Sequence, residues 1–197
     1  MILYLGLDPS RYQADRPLLH YPVITTKRLA FSLPLDWHEA THVLFTSRSA
    51  VSYWEHFEGK QILAVGNATA ELLRERNIDS LVAKNETQEG MVALLSSLDL
   101  SGAYLIWPRS NIARNVLTDY LQTLAPVAKF LAIDLYETCY QKLIPVPSLE
   151  TVTKIVFTSP STVEGFLRIY GFLPKDKELT PIGPITAKKL YQSMLFS

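Results

Sequence analysis

The sequence predicts an α/β fold built on parallel sheets, and three observations carry that prediction. Short apolar runs alternate along the chain with segments whose apolar residues recur at helical spacing. The runs are continuous, without a polar residue at every second place, as in strands covered on both faces. Two strand-to-helix signatures also occur twice, in the same order.

In chain order, the strand runs fall at residues 2–7, 43–46, 61–65, 103–107, 130–136, 155–158 and 179–182. Between them, Ala50, Tyr53, Trp54 and Phe57 repeat at i, i+3, i+4 and i+7, and Met91, Leu94, Leu95 and Leu98 do the same. The pattern returns as Val163, Phe166, Leu167 and Tyr170, then as Ala187, Leu190, Tyr191 and Met194. Such spacing puts one apolar stripe on each helix, ready to cover a sheet. Only residues 145–148, PVPS, have the composition of a linker.

Composition narrows the function classes. A chain of 197 residues with 48% apolar content can bury one or two real cores. Lys+Arg and Asp+Glu both number 19, so no overall field recruits nucleic acid or membrane, and an anionic ligand must be caught by local groups. The apolar start lacks a basic flank, no run of 18 apolar residues occurs, and one cysteine allows no internal disulfide. The expected setting is the cytoplasm, and the expected state a monomer.

Residues 38–42, HEATH, match the H-E-x-x-H pattern that holds zinc from one face of a helix. The context argues against it. An apolar β-type run follows His42 at once, and neither His20, His56 nor Cys139 stands at a ligand spacing. His38 and His42 are read as solvated residues on a short connector, with no metal and no cofactor.

The internal repeat says more. VLFTSRSAV from Val43 matches IVFTSPSTV from Ile155, and VGNATAELL from Val65 matches IGPITAKKL from Ile182, at nearly equal spacing. Each copy is a strand that ends in Ser or Gly and passes directly into a helix, which gathers backbone N–H groups and hydroxyls at the strands' carboxyl ends. Helix starts carry about half a unit of positive charge and favour anions. Ser47 and Ser49 open one helix and Ser159 and Ser161 its twin, while Gly66 and Gly183 precede Thr69 and Thr186. A third junction, LIWPRSNIAR, is expected to add Arg109, Ser110, Asn111 and Arg114 at another helix start. Taken singly, each Ser or Thr reads as an ordinary cap worth about 1 kcal/mol. Their duplication points toward binding.

HVLFTSRSAV, ILAVGNATAELL, DLYETCY, KIVFTSPSTV and LTPIGPITAKKL, in this order and spacing, resemble the uroporphyrinogen-III synthase family from about Tyr21 to Leu190. The resemblance implies two flavodoxin-like domains joined by two strands. One would comprise residues 1–22 with 140–197 and the other residues 27–135, with crossing segments near 21–27 and 135–141. It also implies the reaction, in which a linear hydroxymethyl tetrapyrrole rich in carboxylates loses water and closes with its terminal ring inverted. Positioning would then be the main catalytic contribution. Tyr136 is the residue that the resemblance offers as donor to the departing hydroxyl; its alternative is a hinge tyrosine held by packing. Ser47, Thr69, Ser159 and Thr186 are the implied ligand contacts, with Arg48, Ser49 and Arg109 added on charge and placement. Lys188 is read as a solvated helix residue.

The chain departs from the family in two places. Residues 8–20 leave no room for the usual first helix, and the closing strand normally found beyond Leu190 is missing. Two other readings therefore stand beside the enzyme: a non-catalytic homologue that binds a tetrapyrrole, and a phosphosugar-binding α/β module. The second usually carries a Gly close after the Ser pair, and neither SRSAV nor SPSTV has one. The expected partner is the polycarboxylate substrate, with the preceding pathway enzyme as a transient contact.

Overall fold

A computed structural model describes residues 1–195. Its strands are β1 (Ile2–Tyr4), β2 (Leu18–His20), β3 (Ile24–Arg28), β4 (His42–Phe45), β5 (Gln61–Ala64), β6 (Leu81–Val82), β7 (Tyr104–Ser110), β8 (Lys129–Tyr140), β9 (Lys154–Phe157) and β10 (Glu178–Pro181). Its helices are α1 (Arg48–Tyr53), α2 (Asn67–Arg74), α3 (Gln88–Leu95), α4 (Val116–Thr123), α5 (Pro160–Tyr170) and α6 (Pro184–Met194). The chain divides into two compact units, one of residues 1–25 with the stretch from 138 onward, the other of residues 26–137.

The unit of residues 26–137 is built on a sheet ordered β3-β8-β7-β4-β5-β6, in which β8, β7, β4, β5 and β6 run parallel. Successive side chains point to opposite faces of a strand, and β4 uses both. Val43 and Phe45 pack with Val51, Trp54, Ile62, Leu73 and Ile106 on one face. Leu44 packs with Leu63, Met91, Leu95, Trp107, Leu117 and Leu121 on the other. Both faces are thus covered, which is why these runs read as continuously apolar.

The other unit carries a parallel sheet ordered β10-β9-β1-β2. Leu3, Leu5, Ile155 and Phe157 pack beneath α5 and α6 through Val163, Phe166 and Leu190. The opposite face is much thinner: Ile2, Tyr4 and Val156, covered by Tyr12 and Leu18. The connection from β1 to β2 contains no helix, and Tyr12 takes a helix's place with its ring 5.4 Å from that of Tyr4.

Several elements differ from the sequence reading. α1 ends at Tyr53, and Trp54 is already extended at φ −90°, ψ 143°, so Trp54 and Phe57 do not continue the helix. The Trp54 indole is instead fixed by donating to the His56 carbonyl at 2.7 Å, and Phe57 reaches Phe45 from a loop, ring to ring at 5.7 Å. β2 and β6 are too short to give a pattern, at three and two residues. His42 is not a solvated connector residue. It is a buried residue of β4, its ring Nδ1 2.7 Å from the Thr41 hydroxyl, and burial pushes its pKa down. His38 lies on a separate 3-10 turn, Trp37–Glu39, so the two histidines share no helix face. No group of three or more His, Cys, Asp or Glu among the described residues could hold a metal ion.

Candidate active site

In the unit of residues 26–137, the chain lays β5 and β6 on one side of β4 and then returns to place β7 and β8 on the other. The connections after β4 and β7 therefore diverge, and in open parallel sheets the crevice at such a switch point, at the carboxyl ends of the strands, is where ligands bind. Ser47 follows β4 there, and Ser110 ends β7. Tyr136 comes from β8.

A register shift delivers Tyr136 to this place. β7 and β8 pair evenly from Tyr104 with Lys129 to Arg109 with Asp134, and then slip by one residue so that Ser110 lies opposite Tyr136. A bulge of this kind re-aims side chains and is common beside active sites. The Tyr136 carbonyl accepts from the Asn111 N–H at 3.0 Å, which holds the irregular segment to the strand. The Tyr136 and Ser47 hydroxyls lie 2.9 Å apart.

Ser47 is the N-cap of α1. Its extended backbone, φ −161°, lets the hydroxyl accept from the Ala50 N–H at 3.1 Å. The same oxygen is thus shared between a cap and a phenol. Whichever of the two hydroxyls donates to the other, one O–H proton remains to be offered to a bound group.

Tyr136 is 6% exposed. Burial pushes its pKa up, opposed chiefly by the hydrogen bond with Ser47, while the nearby Tyr53 raises it further. A phenol held neutral in this way is a donor, not a base. The Tyr53 ring, 6.0 Å from that of Tyr136, is anchored by its own hydroxyl donating to the Thr26 carbonyl at 3.0 Å. Tyr136 and Ser47 are candidates from the sequence, and the structure brings their hydroxyls together. Ser110, expected at a helix start, instead ends β7 in register with Tyr136, because nothing in the sequence marks the bulge.

The remaining candidates are placed differently. Arg48 and Ser49 are the first two residues of α1, both half-buried. Thr69 and Thr186 each stand third in their helices, α2 and α6, and are buried at 4% and 3% exposure. The start of α2 already carries a carboxylate of its own chain: Glu86 accepts from the Asn67 N–H at 3.0 Å, and a β-carbon on Gly66 would come within 2.6 Å of that side chain. Gly183 leads α6 at φ +84°, a left-handed conformation that suits glycine alone.

The third junction is not a helix start. β7 continues through Ser110, and α4 begins only at Val116. Arg109 therefore stands in the strand, donating to Asp134 at 2.8 Å and to Thr118 at 2.9 Å, with its guanidinium 5.0 Å over the Trp107 ring. Arg114 is engaged too, forking onto Glu89 at 2.7 and 2.9 Å.

In the other unit, Ser159 caps α5 within a closed box. Its hydroxyl accepts from the Thr162 N–H at 3.3 Å, while the Thr162 hydroxyl accepts from the Ser159 N–H at 3.2 Å and the Thr158 N–H at 3.1 Å.

Three comparisons bear on this arrangement. The model of the uroporphyrinogen-III synthase HemD family matches residues 14–195. A protein of Methanothermobacter thermautotrophicus, provisionally named a uroporphyrinogen-III synthase, is 29% identical over 75% of this chain and 67% of its own. The crystal structure of uroporphyrinogen-III synthetase from Helicobacter pylori superposes with a TM-score of 0.64 at 20% identity, covering 97% of this chain and 87% of that one. A mutant uroporphyrinogen III synthase from Thermus thermophilus gives 0.58 at 15% identity, covering 97% and 88%. At these identities the two crystal structures establish a shared two-domain α/β fold.

Proposed function

The chain belongs to the uroporphyrinogen-III synthase family, and from that premise we propose which of its residues do the work. The enzyme is a lyase of tetrapyrrole biosynthesis. It closes hydroxymethylbilane into uroporphyrinogen III with loss of water and inversion of ring D.

The reaction's driving force lies in the electron-rich pyrroles. The protein's tasks are to help the hydroxyl leave and to hold a flexible chain so that closure with inversion outpaces closure without it. As the carbon–oxygen bond breaks, the oxygen needs a proton to depart as water. The Tyr136–Ser47 pair offers one from a buried, neutral phenol at the switch point of its sheet. That pair is the observation on which the assignment rests.

Substrate carboxylates are proposed to meet the hydroxyls and amides at helix starts of both units: Ser47, Arg48 and Ser49 on α1, Thr69 on α2, Ser159 on α5 and Thr186 on α6. Arg109 serves as a nearby charge. For Thr69 and Thr186, buried as they are, the contact would run through the first-turn amides that the threonines help to shape. At α2 an incoming carboxylate would displace that of Glu86.

No helix among the described residues is long and apolar enough to cross a membrane. The enzyme is proposed to act as a cytoplasmic monomer that takes its short-lived substrate from the preceding enzyme of the pathway.

Purified protein given freshly prepared hydroxymethylbilane tests the reading, with the products oxidised to porphyrins and the isomers separated. Isomer III forming faster than spontaneous cyclisation supports it. Isomer I alone, at the spontaneous rate, excludes catalysis and leaves a binding protein.

A further inference from the structure

Trp107 has no assigned role in the reaction, yet it lies fully buried beside the turn that carries Ser47. Its indole N–H donates to the Thr46 hydroxyl at 3.1 Å. Thr46 is the residue that joins the end of β4 to the cap of α1.

We propose that Trp107 is a positioning residue for the Ser47–Tyr136 pair, acting through the Thr46 hydroxyl. The inference rests on the acid role given above to Tyr136.

Successive side chains of an extended chain point to opposite faces, and Ser47, at φ −161° and ψ 154°, continues the extension of β4. Val43, Phe45 and Ser47 face the side on which Tyr136 lies, while Leu44 and Thr46 face that of Trp107. The end of the strand is therefore held on both faces, by an indole at Thr46 and by a phenol at Ser47. With Thr46 pinned, the chain is kept from rolling about its own axis, and the Ser47 hydroxyl stays 2.9 Å from the phenol. A hydrogen bond on one face of the sheet thus sets the geometry on the other.

The indole is itself fixed. It packs among Leu44, Leu63, Met91 and Leu117, and the Arg109 guanidinium lies 5.0 Å over its ring. A buried indole N–H needs an acceptor, and the Thr46 oxygen supplies it.

The duplicated turn provides a contrast. Val43 pairs with Ile106 and Ile155 with Leu3, so Tyr4 holds in the other sheet the register place of Trp107. Its hydroxyl donates to the Asp8 carbonyl at 2.9 Å, in the segment that follows its own strand. The aromatic donor reaches across to the neighbouring turn in the unit where that turn's serine meets a phenol.

The test replaces Trp107 with benzothienylalanine, which keeps the bicyclic shape and sets sulfur where the N–H stood, and uses Thr46→Val, which keeps the branch and removes the acceptor. kcat and KM for formation of isomer III are measured in the parent, in each variant, in the double variant, and with benzothienylalanine in the Tyr136→Phe background. Each single replacement is expected to lower kcat several-fold, by no more than Tyr136→Phe does, with KM unchanged. The double variant is expected to fall no further than either single one, as for two halves of one contact. In Tyr136→Phe, the benzothienyl replacement is expected to change nothing. An unchanged kcat at position 107 overturns the inference, even where Thr46→Val lowers it, because Thr46 then meets the substrate itself. A loss at position 107 that persists in full in Tyr136→Phe also overturns it and leaves Trp107 a residue of the core. Both of those results leave the acid role standing, whereas a Tyr136→Phe enzyme with the parent's kcat overturns the acid role and the inference together.

Discussion

The two units carry the same sequence signature and use it differently. VLFTSRSAV and IVFTSPSTV both turn a strand into a helix at a serine N-cap. In the second copy Thr162 returns the cap, so that Ser159 and Thr162 occupy one another's hydrogen-bonding groups. The aligned residue of the first copy is Ala50, which has no hydroxyl to return. Ser47 therefore caps only one amide, and its remaining hydrogen bond goes to Tyr136. The duplicated turn closes on itself where Thr162 stands and leaves its serine hydroxyl to a distant phenol where Ala50 stands.

The units differ in support as well. The sheet around β4 has a substantial core on each face, whereas that around β1 has one large core and one small cluster. The most severe way to break the comparison is to remove the large cluster's centre. Phe166→Ala should cost about 3–5 kcal/mol, and its fully buried ring contacts both Phe157 and Tyr170. Chemical denaturation followed by hydrogen exchange should show residues 138 onward opening first while β4–β8 stay protected. Simultaneous loss of protection in both units would show that the thinner sheet leans on more than its own core.

The caps themselves come next. Thr162→Ala strips two backbone N–H groups of their acceptor at a fully buried position, so a stability loss of about 1–3 kcal/mol is expected. Ser47→Ala removes one cap bond, worth about 1 kcal/mol of stability. It should weaken substrate binding by a further 1.5–3 kcal/mol or so if the hydroxyl meets a carboxylate. Melting curves and calorimetry with substrate separate the two effects. Wild-type affinity in Ser47→Ala would reduce this serine to a helix cap.

The repeat made much of this legible in the sequence. Ser47, Ser159, Gly66 and Gly183 stand where strand and helix patterns meet, and caps are local features that local residues announce. What stayed hidden depends on pairing. The bulge at Ser110 is a property of two strands in register, and neither strand's sequence shows it. Arg109 reads as an open cation in the sequence, and only the fold shows that Asp134 and Thr118, distant in sequence, share its donors. His42 reads as a connector residue because its strand begins one residue earlier than its apolar run, so a polar residue is carried into the interior.

A smaller effect is expected from the phenol. Tyr136→Phe keeps the ring and its packing and removes only the donor, so turnover should fall several-fold with affinity nearly intact. Single-turnover rates measure this directly. Unchanged rates would assign Tyr136 to packing and make the hydroxyl cluster a structural network.

The smallest expected effect concerns how each unit ties its helices. Arg114 forks onto Glu89, joining the entry to α4 to the first turn of α3, whereas Lys189 on α6 meets Glu164 on α5 at a single distance of 2.7 Å. A guanidinium fork matches both carboxylate oxygens, and an ammonium is a point charge. The Arg114 hydrogen bonds hold Glu89 down at about 2, below the ordinary 4.5. A depressed carboxylate pKa means that the pair's stabilisation is complete above about pH 4.5 and is lost as the pH falls toward 2. Because Glu89 is about half exposed, solvent limits the contribution to roughly 0.2–1 kcal/mol. Arg114→Lys should raise the Glu89 midpoint, read by carboxyl NMR, while stability at neutral pH changes little. A midpoint that stays near 2 would show that the fork is dispensable and that the helix-start amide, which also lowers it, is the group that holds the charge.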